Sequence, residues 1–288
     1  MQAHDFEPMS IGGILDRTFR IYRENFIRFV TIVAVIQVPI GLLMIVSTSG
    51  FRKGVPVRQT GDYGQVSRDE ADPTIALFGA AGMVVTGIIG MFGQVLCRGA
   101  LTKSVSEFYL GNEISVGQAY QFVLPKFFTL ILAGICVVLV VYLGLLLLIV
   151  PGIIFGLWFA LTTPAIIIEN LGATQGMSRS KTLASGNLGK IFSVGFLVLL
   201  IAYVLSIVLH YGTSIFIGVL FSGYTPFALA LNHLVSVAGN ILVTPIGATA
   251  YILLYYDLRI RKEGFDLQML ADSIGSGKSA TNDRESQQ

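Results

Sequence analysis

Six apolar segments dominate the pattern of the chain, and polar connections separate most of them. A helix that crosses the ~30 Å hydrocarbon core of a membrane needs roughly 20 predominantly apolar residues. Each segment meets or approaches that length, so the pattern predicts six transmembrane helices. The predicted spans are Ile27–Ser47, Thr74–Leu96, Phe127–Val150, Gly152–Ile168, Ile191–His210 and Leu229–Tyr256, the last with a kink at Pro245.

The composition supports a membrane protein independently of where the spans begin and end. Apolar residues make up 53% of the 288 residues and charged residues only 12%, whereas soluble domains carry roughly 25% charged residues. The sequence therefore predicts an all-α polytopic bundle with one membrane domain, residues 1–266, and we expect no appended soluble catalytic domain. Residues 48–73 are predicted as an outer loop, and the polar residues 267–288 as a disordered cytoplasmic tail.

The basic residues lie mainly in alternate connections, which predicts how the chain is oriented. All but four of the 19 Lys and Arg residues fall in segments on one side of the predicted bundle. Positive charge near the ends of spans resists translocation across the membrane. We therefore expect a multi-pass protein of the plasma membrane with both termini cytoplasmic. The four exceptions, all in the first outer loop, are Arg52, Lys53, Arg58 and Arg68.

Three lead-in segments precede three pairs of spans, so the spans are predicted to form three hairpins, each preceded by an interfacial helix. The first lead-in, residues 10–26, starts at the helix cap Ser10 and places apolar residues at steps of three and four. Its apolar face is consistent with lying in the membrane surface or with packing against the protein's own spans. The other lead-ins begin near Ser115 and Ala173. Because all three start on the same side, the pattern predicts parallel repeats.

Two connections between the spans need a specific interpretation. The apolar run from Phe127 to Ile168 is about 63 Å long as a single helix, so it must turn, and Pro151-Gly152 is the predicted turn. The segment Tyr211–Phe227 is apolar with few helix breakers. It is predicted to be an outward extension of the fifth span, a short interfacial helix or a partly re-entrant piece.

Residues 151–266 carry motifs that resemble a known membrane domain. The motifs are Pro151–Ile154, Leu157–Ala160, Thr163–Ala165, Met177–Lys181 and Leu254–Asp266. They resemble the membrane domain of membrane-bound glycerophosphoryl diester phosphodiesterases, which also occurs alone in bacterial integral membrane proteins. In the two-part enzymes of that family the chemistry belongs to a separate soluble barrel that uses a divalent metal. The resemblance therefore implies a stand-alone membrane module without that barrel.

The sequence offers no set of residues for catalysis. Metal-assisted hydrolysis needs converging carboxylate and imidazole ligands around an activated water. The three histidines, His4, His210 and His233, are scattered, and no carboxylate lies near His210 or His233 in the sequence. We therefore expect no enzymatic activity, and no catalytic, cofactor-binding or metal site.

Charged residues at the inner ends of spans are the candidate binding residues. Glu169 and Asp257 end the fourth and sixth spans, close to several basic residues. They are predicted either to form structural ion pairs or to orient a pocket for a lipid phosphate, an anion that the fork of arginine binds through two oxygens. The candidate lipid-phosphate contacts are Arg179, Lys181, Asp257, Arg259 and Arg261.

Single polar residues inside the spans form a second candidate site. They are Gln37, Gln94, Thr162, Thr163, Asn232, His233, Asn240 and Thr244. Such residues either line a polar path or hydrogen-bond neighbouring helices, a contact that contributes about 0.6 kcal/mol on average.

Three functional hypotheses follow from these patterns. The first is a non-catalytic membrane module that organises lipids, including anionic ones, or docks a protein partner, without nucleic acid. The second is a transporter of a lipid or small amphiphile. The third, an intramembrane enzyme, requires Glu169, Asp257 or His233 to converge.

Overall fold

A computed structural model of the protein describes residues 8–54, 58–60, 66–68, 72–220 and 226–264. These residues form ten α-helices, one short 3-10 helix at Leu124–Lys126 and two three-residue strands. In chain order the elements are α1 Ile11–Glu24, α2 Phe26–Gly54, β1 Arg58–Thr60, β2 Val66–Arg68, α3 Pro73–Tyr109, α4 Val116–Val123, α5 Phe127–Leu147, α6 Ile149–Phe159, α7 Thr162–Ile168, α8 Ala173–Ala184, α9 Leu188–Leu220 and α10 Pro226–Glu263.

The prediction of an all-α polytopic bundle with six spans is confirmed. Six helical stretches among the described residues are long and apolar enough to cross a membrane. They pack as three antiparallel pairs: α2 with α3, α5 with α6 and α7, and α9 with α10. The short helices α1, α4 and α8 precede these pairs in turn. We call the end of the bundle that carries these short helices the basic end.

Side-chain caps explain where two of the short helices begin. Ser10 accepts a hydrogen bond from the Gly13 backbone N–H at 3.0 Å. Ser115 and Gln118 form a reciprocal capping box at the start of α4. Each cap satisfies backbone donors that have no partner inside the first turn, and both caps lie where the sequence predicts a helix to start.

Helix α1 packs against the protein's own spans. Its buried residues are Ile14, Thr18 and Ile21. The Tyr22 hydroxyl donates a hydrogen bond to the Leu242 carbonyl of α10 at 3.0 Å. Phe19 and Phe26 remain exposed. Of the two interpretations of this apolar stripe, the geometry favours packing, with a smaller aromatic surface left outside.

The buried core lies toward the basic end, where the end of α10 is enclosed by its neighbours. Leu253 through Asp257 are fully buried or nearly so. The ring of Tyr256 stacks on Tyr109 with centroids 4.8 Å apart, and its hydroxyl lies 2.7 Å from the Ser106 hydroxyl. This packing fixes the position of the charged residues that end the helix.

The turn between α5 and α6 lies earlier than the predicted Pro151-Gly152. The break is at Leu148, whose φ of −163° and ψ of 152° are extended. Pro151 lies in the first turn of α6, where its missing N–H costs no hydrogen bond because those donors have no partner within the helix. Gly152 is needed for close approach instead, since a Cβ there would lie 2.8 Å from the Leu145 backbone nitrogen.

The predicted fourth span is interrupted between Phe159 and Thr162. Pro164 has no N–H to donate to the carbonyl of Ala160, which weakens the regular helix at this point. Ser180 of α8 compensates for part of the break. Its hydroxyl donates to the Trp158 carbonyl at 2.7 Å and accepts from the Leu161 N–H at 3.1 Å.

Several other boundaries differ from the prediction. Helix α9 runs to Leu220, so the first part of Tyr211–Phe227 is an extension of the fifth span; residues 221–225 lie outside the described ranges. Helix α2 extends into the predicted outer loop as far as Gly54, and β1 pairs antiparallel with β2 in the same loop. Helix α10 is helical on both sides of Pro245. The predicted tail, residues 267–288, lies outside the described residues.

Candidate functional site

Glu169, at the end of α7, anchors the first of two charged clusters at the basic end. Both of its carboxylate oxygens lie 2.8 Å from the Nε of Arg179 on α8, and the Tyr255 hydroxyl also donates to it. Arg259 lies 3.8 Å from Glu169 and 3.2 Å from Glu263, and Glu263 pairs with Arg179 in turn. We call these five residues the Glu169 cluster. It ties α7, α8 and α10 together.

Asp257 of α10 anchors the second cluster. Its side chain is fully buried and accepts hydrogen bonds from the Met9 backbone N–H at 2.6 Å and from Arg261 Nε at 3.1 Å. The ammonium of Lys190 on α9 pairs with the same carboxylate. Lys190 and Arg261 also donate to the Met9 carbonyl, at 2.6 and 3.0 Å. We call these four residues the Asp257 cluster.

The five candidate phosphate contacts do not form one pocket. Arg179 and Arg259 belong to the Glu169 cluster, whereas Asp257 and Arg261 belong to the Asp257 cluster. Lys181 lies apart, with its ammonium 4.7 Å from the centre of the Trp158 ring. Because carboxylates already engage these guanidinium groups, the geometry favours structural ion pairing over an open phosphate pocket.

The electrostatics of Arg179 agree with structural pairing. Its hydrogen bond to Glu263, followed by those to Glu169, holds the pKa of Arg179 above its ordinary value, against the opposing effect of partial burial. A guanidinium held in this way is fixed in its charge and its orientation.

The sequence interpretation missed three members of these clusters that come from distant or unexpected positions. Lys190 meets Asp257 across 67 positions in the chain, and the Met9 backbone meets it across 248; no local pattern links such residues. The spacing of four residues between Arg259 and Glu263 could have predicted their ion pair, because such residues lie one helical turn apart.

A cavity of about 580 Å³ lies among α3, α6, α7, α9 and α10. Its wall is partly apolar, with Val198, Val243 and Ile252, and includes the small residues Gly156 and Gly247. The polar residues that line it are Gln94, Arg98, Thr102, Thr163, Asn240, Thr244 and Tyr251. We call it the main cavity.

Arg98 is the charged residue in the lining of the main cavity. Its side chain is exposed, and within the described residues it has neither a carboxylate within 4.0 Å nor a hydrogen-bond acceptor. This separates it from Arg179, Arg259 and Arg261, which all contact carboxylates. The sequence interpretation used Arg98 only as evidence for orientation.

Two smaller cavities continue along α10 away from the basic end. One, of about 290 Å³, lies between α9 and α10 and is lined by Ser206, His210, Thr213 and Asn232 among others. The other, of about 250 Å³, lies among α2, α3 and α10 and is lined by Gln37, Thr86 and His233 among others. Asn240 lines all three cavities.

The predicted polar span residues fall into these cavities with one exception. Gln94, Thr163, Asn240 and Thr244 line the main cavity, and Gln37, Asn232 and His233 line the smaller ones. Thr162 is buried instead, and its hydroxyl donates to the Phe159 carbonyl at 2.8 Å.

The residues required by the enzyme hypothesis do not converge. Glu169 and Asp257 lie in different clusters at the basic end, whereas His233 lines a cavity farther along α10. In the part of the chain that the structure describes, no three His, Cys, Asp or Glu side chains are grouped as metal ligands.

The six apolar helices and their hairpin arrangement define a multi-pass membrane protein, and comparison with known proteins agrees. The chain is 35% identical over 101 residues to a UPF0259 membrane protein of Sodalis glossinidius (strain morsitans), an alignment that covers 35% of this chain and 40% of that protein. It is 38% identical over 101 residues to a UPF0259 membrane protein of Photorhabdus laumondii, which covers 34% of this chain and 38% of that protein. The alignments thus span about two fifths of these bacterial relatives.

No family model and no solved structure matches the chain. The resemblance to the membrane domain of glycerophosphoryl diester phosphodiesterases therefore stays a prediction from the sequence motifs.

Proposed function

We propose that this protein is a non-enzymatic membrane protein that binds the anionic headgroup of a membrane amphiphile in the main cavity. Arg98 is the principal contact. The observation that carries the proposal is the position of Arg98 in the wall of the main cavity, which polar and apolar residues line together. Arg98 is exposed and has no carboxylate partner among the described residues.

The chemistry of the lining suits a phosphate or carboxylate group. A guanidinium binds two oxygens of such an anion at once, and the amide of Gln94 and the hydroxyl of Tyr251 are further donors in the same wall. Arg98 lies just past the predicted second span, Thr74–Leu96, at the level where basic side chains meet anionic headgroups. The arginines of the two charged clusters already contact carboxylates, so Arg98 replaces them as the candidate phosphate contact.

The size of the cavity and its surroundings favour an amphiphile over a free anion. A volume of about 580 Å³ lies in the range of small-molecule sites, roughly 300–1,000 Å³, and holds a headgroup rather than a whole lipid. Leu199 and Tyr203 of α9 are more than half exposed, which gives acyl chains an apolar surface beside the cavity.

The proposal refines the lipid-organising module predicted from the sequence. The docking of a protein partner stays a prediction of the sequence.

Native mass spectrometry from nanodiscs tests the proposal. The discs contain phosphatidylglycerol and phosphatidylethanolamine, and the variants are Arg98→Ala, Arg98→Lys and the matched control Arg20→Ala, at an exposed arginine of α1. We expect phosphatidylglycerol to remain bound to the wild type and to Arg20→Ala. Its retention should fall about tenfold in Arg98→Ala, because a hydrogen bond to a charged group contributes about 1.5–3 kcal/mol. Arg98→Lys, which keeps the charge but not the fork, should lie between.

A competition arm distinguishes a lipid headgroup from a free anion. Millimolar inorganic phosphate should leave the bound lipid in place if the acyl chains contribute to binding, and should displace it if the site recognises the anion alone. Equal lipid retention in the wild type and Arg98→Ala would overturn the proposal.

A further inference from the structure

We infer that the three cavities form one polar track along α10, through which the headgroup of a phospholipid passes between the two leaflets while its acyl chains stay in the bilayer. The inference rests on the proposed headgroup site at Arg98, which is the entrance to the track at the basic end. It adds an activity, transbilayer movement of lipid, to the binding of a headgroup.

The track is nearly as long as the hydrocarbon core is thick. Its polar residues on α10 recur at steps of about one or two turns and so share one face of the helix; they are Asn232, Ser236, Asn240, Thr244 and Tyr251. From Asn232 to Tyr251 the helix rises about 28 Å at ~1.5 Å per residue, against ~30 Å of hydrocarbon.

Helix α9 forms the opposite wall of the track along the main cavity and the 290 Å³ cavity, whereas α2 and α3 form it along the 250 Å³ cavity. Val198 lines the main cavity, and Ser206, His210 and Thr213 line the cavity beyond it. Gly239 leaves room for Leu209 of α9 to lie against α10, because a Cβ there would lie 2.6 Å from Leu209 Cδ1. The two helices therefore border the same cavity at this point.

The groove is open to the outside of the bundle along part of its length. Ser206, Ser236 and Asn240 line it and are exposed, and Tyr203 and Val208 beside it on α9 are about 60% exposed apolar or amphipathic residues. A polar strip bordered by apolar surface matches an amphiphile whose headgroup lies in the strip and whose chains lie outside it.

Three amides in the track are open to hydrogen bonds from water or a headgroup. The side-chain amides of Gln94, Asn232 and Asn240 have no hydrogen-bond partner among the described residues. A polar group without a partner in hydrocarbon costs several kcal/mol, so water or a headgroup beside these amides would stabilise them. Amides bind donors and acceptors alike, which suits both the phosphate and the polar substituents of a headgroup.

The distribution of charge along the track favours passage of a lipid headgroup over its retention at one point. Arg98 provides a fixed positive charge at one end, whereas the lining from Asn240 to Asn232 contains amides, hydroxyls and the imidazoles of His210 and His233. A pathway must bind its cargo well enough to admit it and weakly enough to release it. One strong site followed by weak polar contacts meets both conditions.

Lipid movement in proteoliposomes tests the inference. Vesicles contain phosphatidylglycerol with a fluorophore on the acyl chain, and dithionite quenches only the dye that reaches the outer leaflet. We expect the wild type to expose nearly all of the dye, whereas protein-free vesicles expose about half. Asn240→Leu, which replaces the amide shared by all three cavities, should slow this movement at least tenfold. Ser236→Leu should slow it less, because it lines only the two smaller cavities.

A matched control is Thr31→Leu, the same loss of polarity at an exposed position of α2 outside the cavities, which should leave the rate unchanged. Extraction of the labelled lipid by albumin gives the rate without dithionite and separates lipid movement from leakage of the quencher.

The two proposals fail in different ways. If the wild type retains phosphatidylglycerol through Arg98 but moves no lipid, the track is wrong and the headgroup site stands. Movement at the wild-type rate in Asn240→Leu also overturns the track. If lipid retention is independent of Arg98, the headgroup site is wrong. The track is then wrong as well, because Arg98 is its proposed entrance. Slowed movement in Ser236→Leu, which lines only the two smaller cavities, with lipid retention unchanged would support the track.

Discussion

Asp257 shows at the scale of one residue how a charge is kept inside the bundle. Its carboxylate is fully buried, and Lys190, Arg261 and the Met9 backbone N–H surround it. A buried carboxylate is tolerated only when it is paired and hydrogen-bonded. Through these contacts one side chain joins the start of the described chain, α9 and α10.

Replacing Asp257 should therefore strongly destabilise the protein. In Asp257→Ala the Lys190 ammonium, whose side chain is 14% exposed, loses its counter-charge, and removing one partner of a buried pair costs about 3–5 kcal/mol. Asp257→Asn keeps an acceptor for the Met9 N–H and should lose less. Thermal unfolding in detergent, followed by the fluorescence of the single tryptophan, Trp158, measures the difference.

The matched control is the surface pair of Arg28 and Glu113, which lie 3.3 Å apart with the Glu113 side chain 86% exposed. Exposed pairs contribute about 0–1 kcal/mol, so Glu113→Ala should unfold close to the wild type. Similar losses of stability in Asp257→Ala and Glu113→Ala would contradict the structural role of the Asp257 cluster.

At the scale of elements, the α5–α6 hairpin depends on two glycines that face each other. A Cβ on Gly144 would lie 3.0 Å from the Gly152 Cα, and a Cβ on Gly152 would lie 2.8 Å from the Leu145 nitrogen. These atoms belong to the backbone and cannot move aside as a flexible side chain does. The hairpin therefore needs glycine at both positions for its helices to touch.

Gly152→Ala should separate the two helices and destabilise the protein by about 1–3 kcal/mol, the usual cost of overpacking. The comparison is Gly134→Ala on α5, where a new Cβ meets nothing within 4 Å; this change should be neutral or stabilising by up to ~1 kcal/mol, because alanine favours helix. The midpoints of thermal unfolding of the two variants measure this difference in stability. A Gly152→Ala protein as stable as Gly134→Ala would rule out the close approach of the α5 and α6 backbones.

At the scale of the whole molecule, all three short helices and both charged clusters lie at the basic end. Positive charge on one side of the spans predicts that this end faces the cytoplasm. The headgroup site at Arg98 then faces the cytoplasmic half of the membrane, and the narrower cavities face the outer half.

Cysteine labelling in intact cells tests this orientation. In a background with Cys97→Ala and Cys136→Ala, we expect Pro73→Cys, at an exposed position where α3 begins next to the outer loop, to react with a membrane-impermeant maleimide. Glu113→Cys, between α3 and α4 at the basic end, should react only after the cells are broken. The opposite pattern would invert the proposed orientation.

The accuracy of the sequence interpretation depended on whether the signal was local. The cap at Ser10 was predicted at its position because a cap acts within one helical turn, and the second lead-in was predicted to begin near Ser115, where the structure has a capping box. The turn near Pro151 was misplaced because proline is tolerated in the first turn of a helix as well as in a loop. The lipid-phosphate candidates were residues of the right kind at the right end, but their carboxylate partners came from distant segments.

The sequence by itself determined the membrane class, the number of spans and their pairing into hairpins, because hydrocarbon requires long apolar helices and short connections force neighbours to be antiparallel. Only the tertiary structure decided which arginines pair with carboxylates and that Arg98, without such a partner among the described residues, is open to bind an anion. Arg179 and Arg98 are the same residue type near the same end of the bundle. They differ because the packing of α7, α8 and α10 brings Glu169 and Glu263 to Arg179, whereas the packing of α3, α9 and α10 leaves Arg98 facing a cavity.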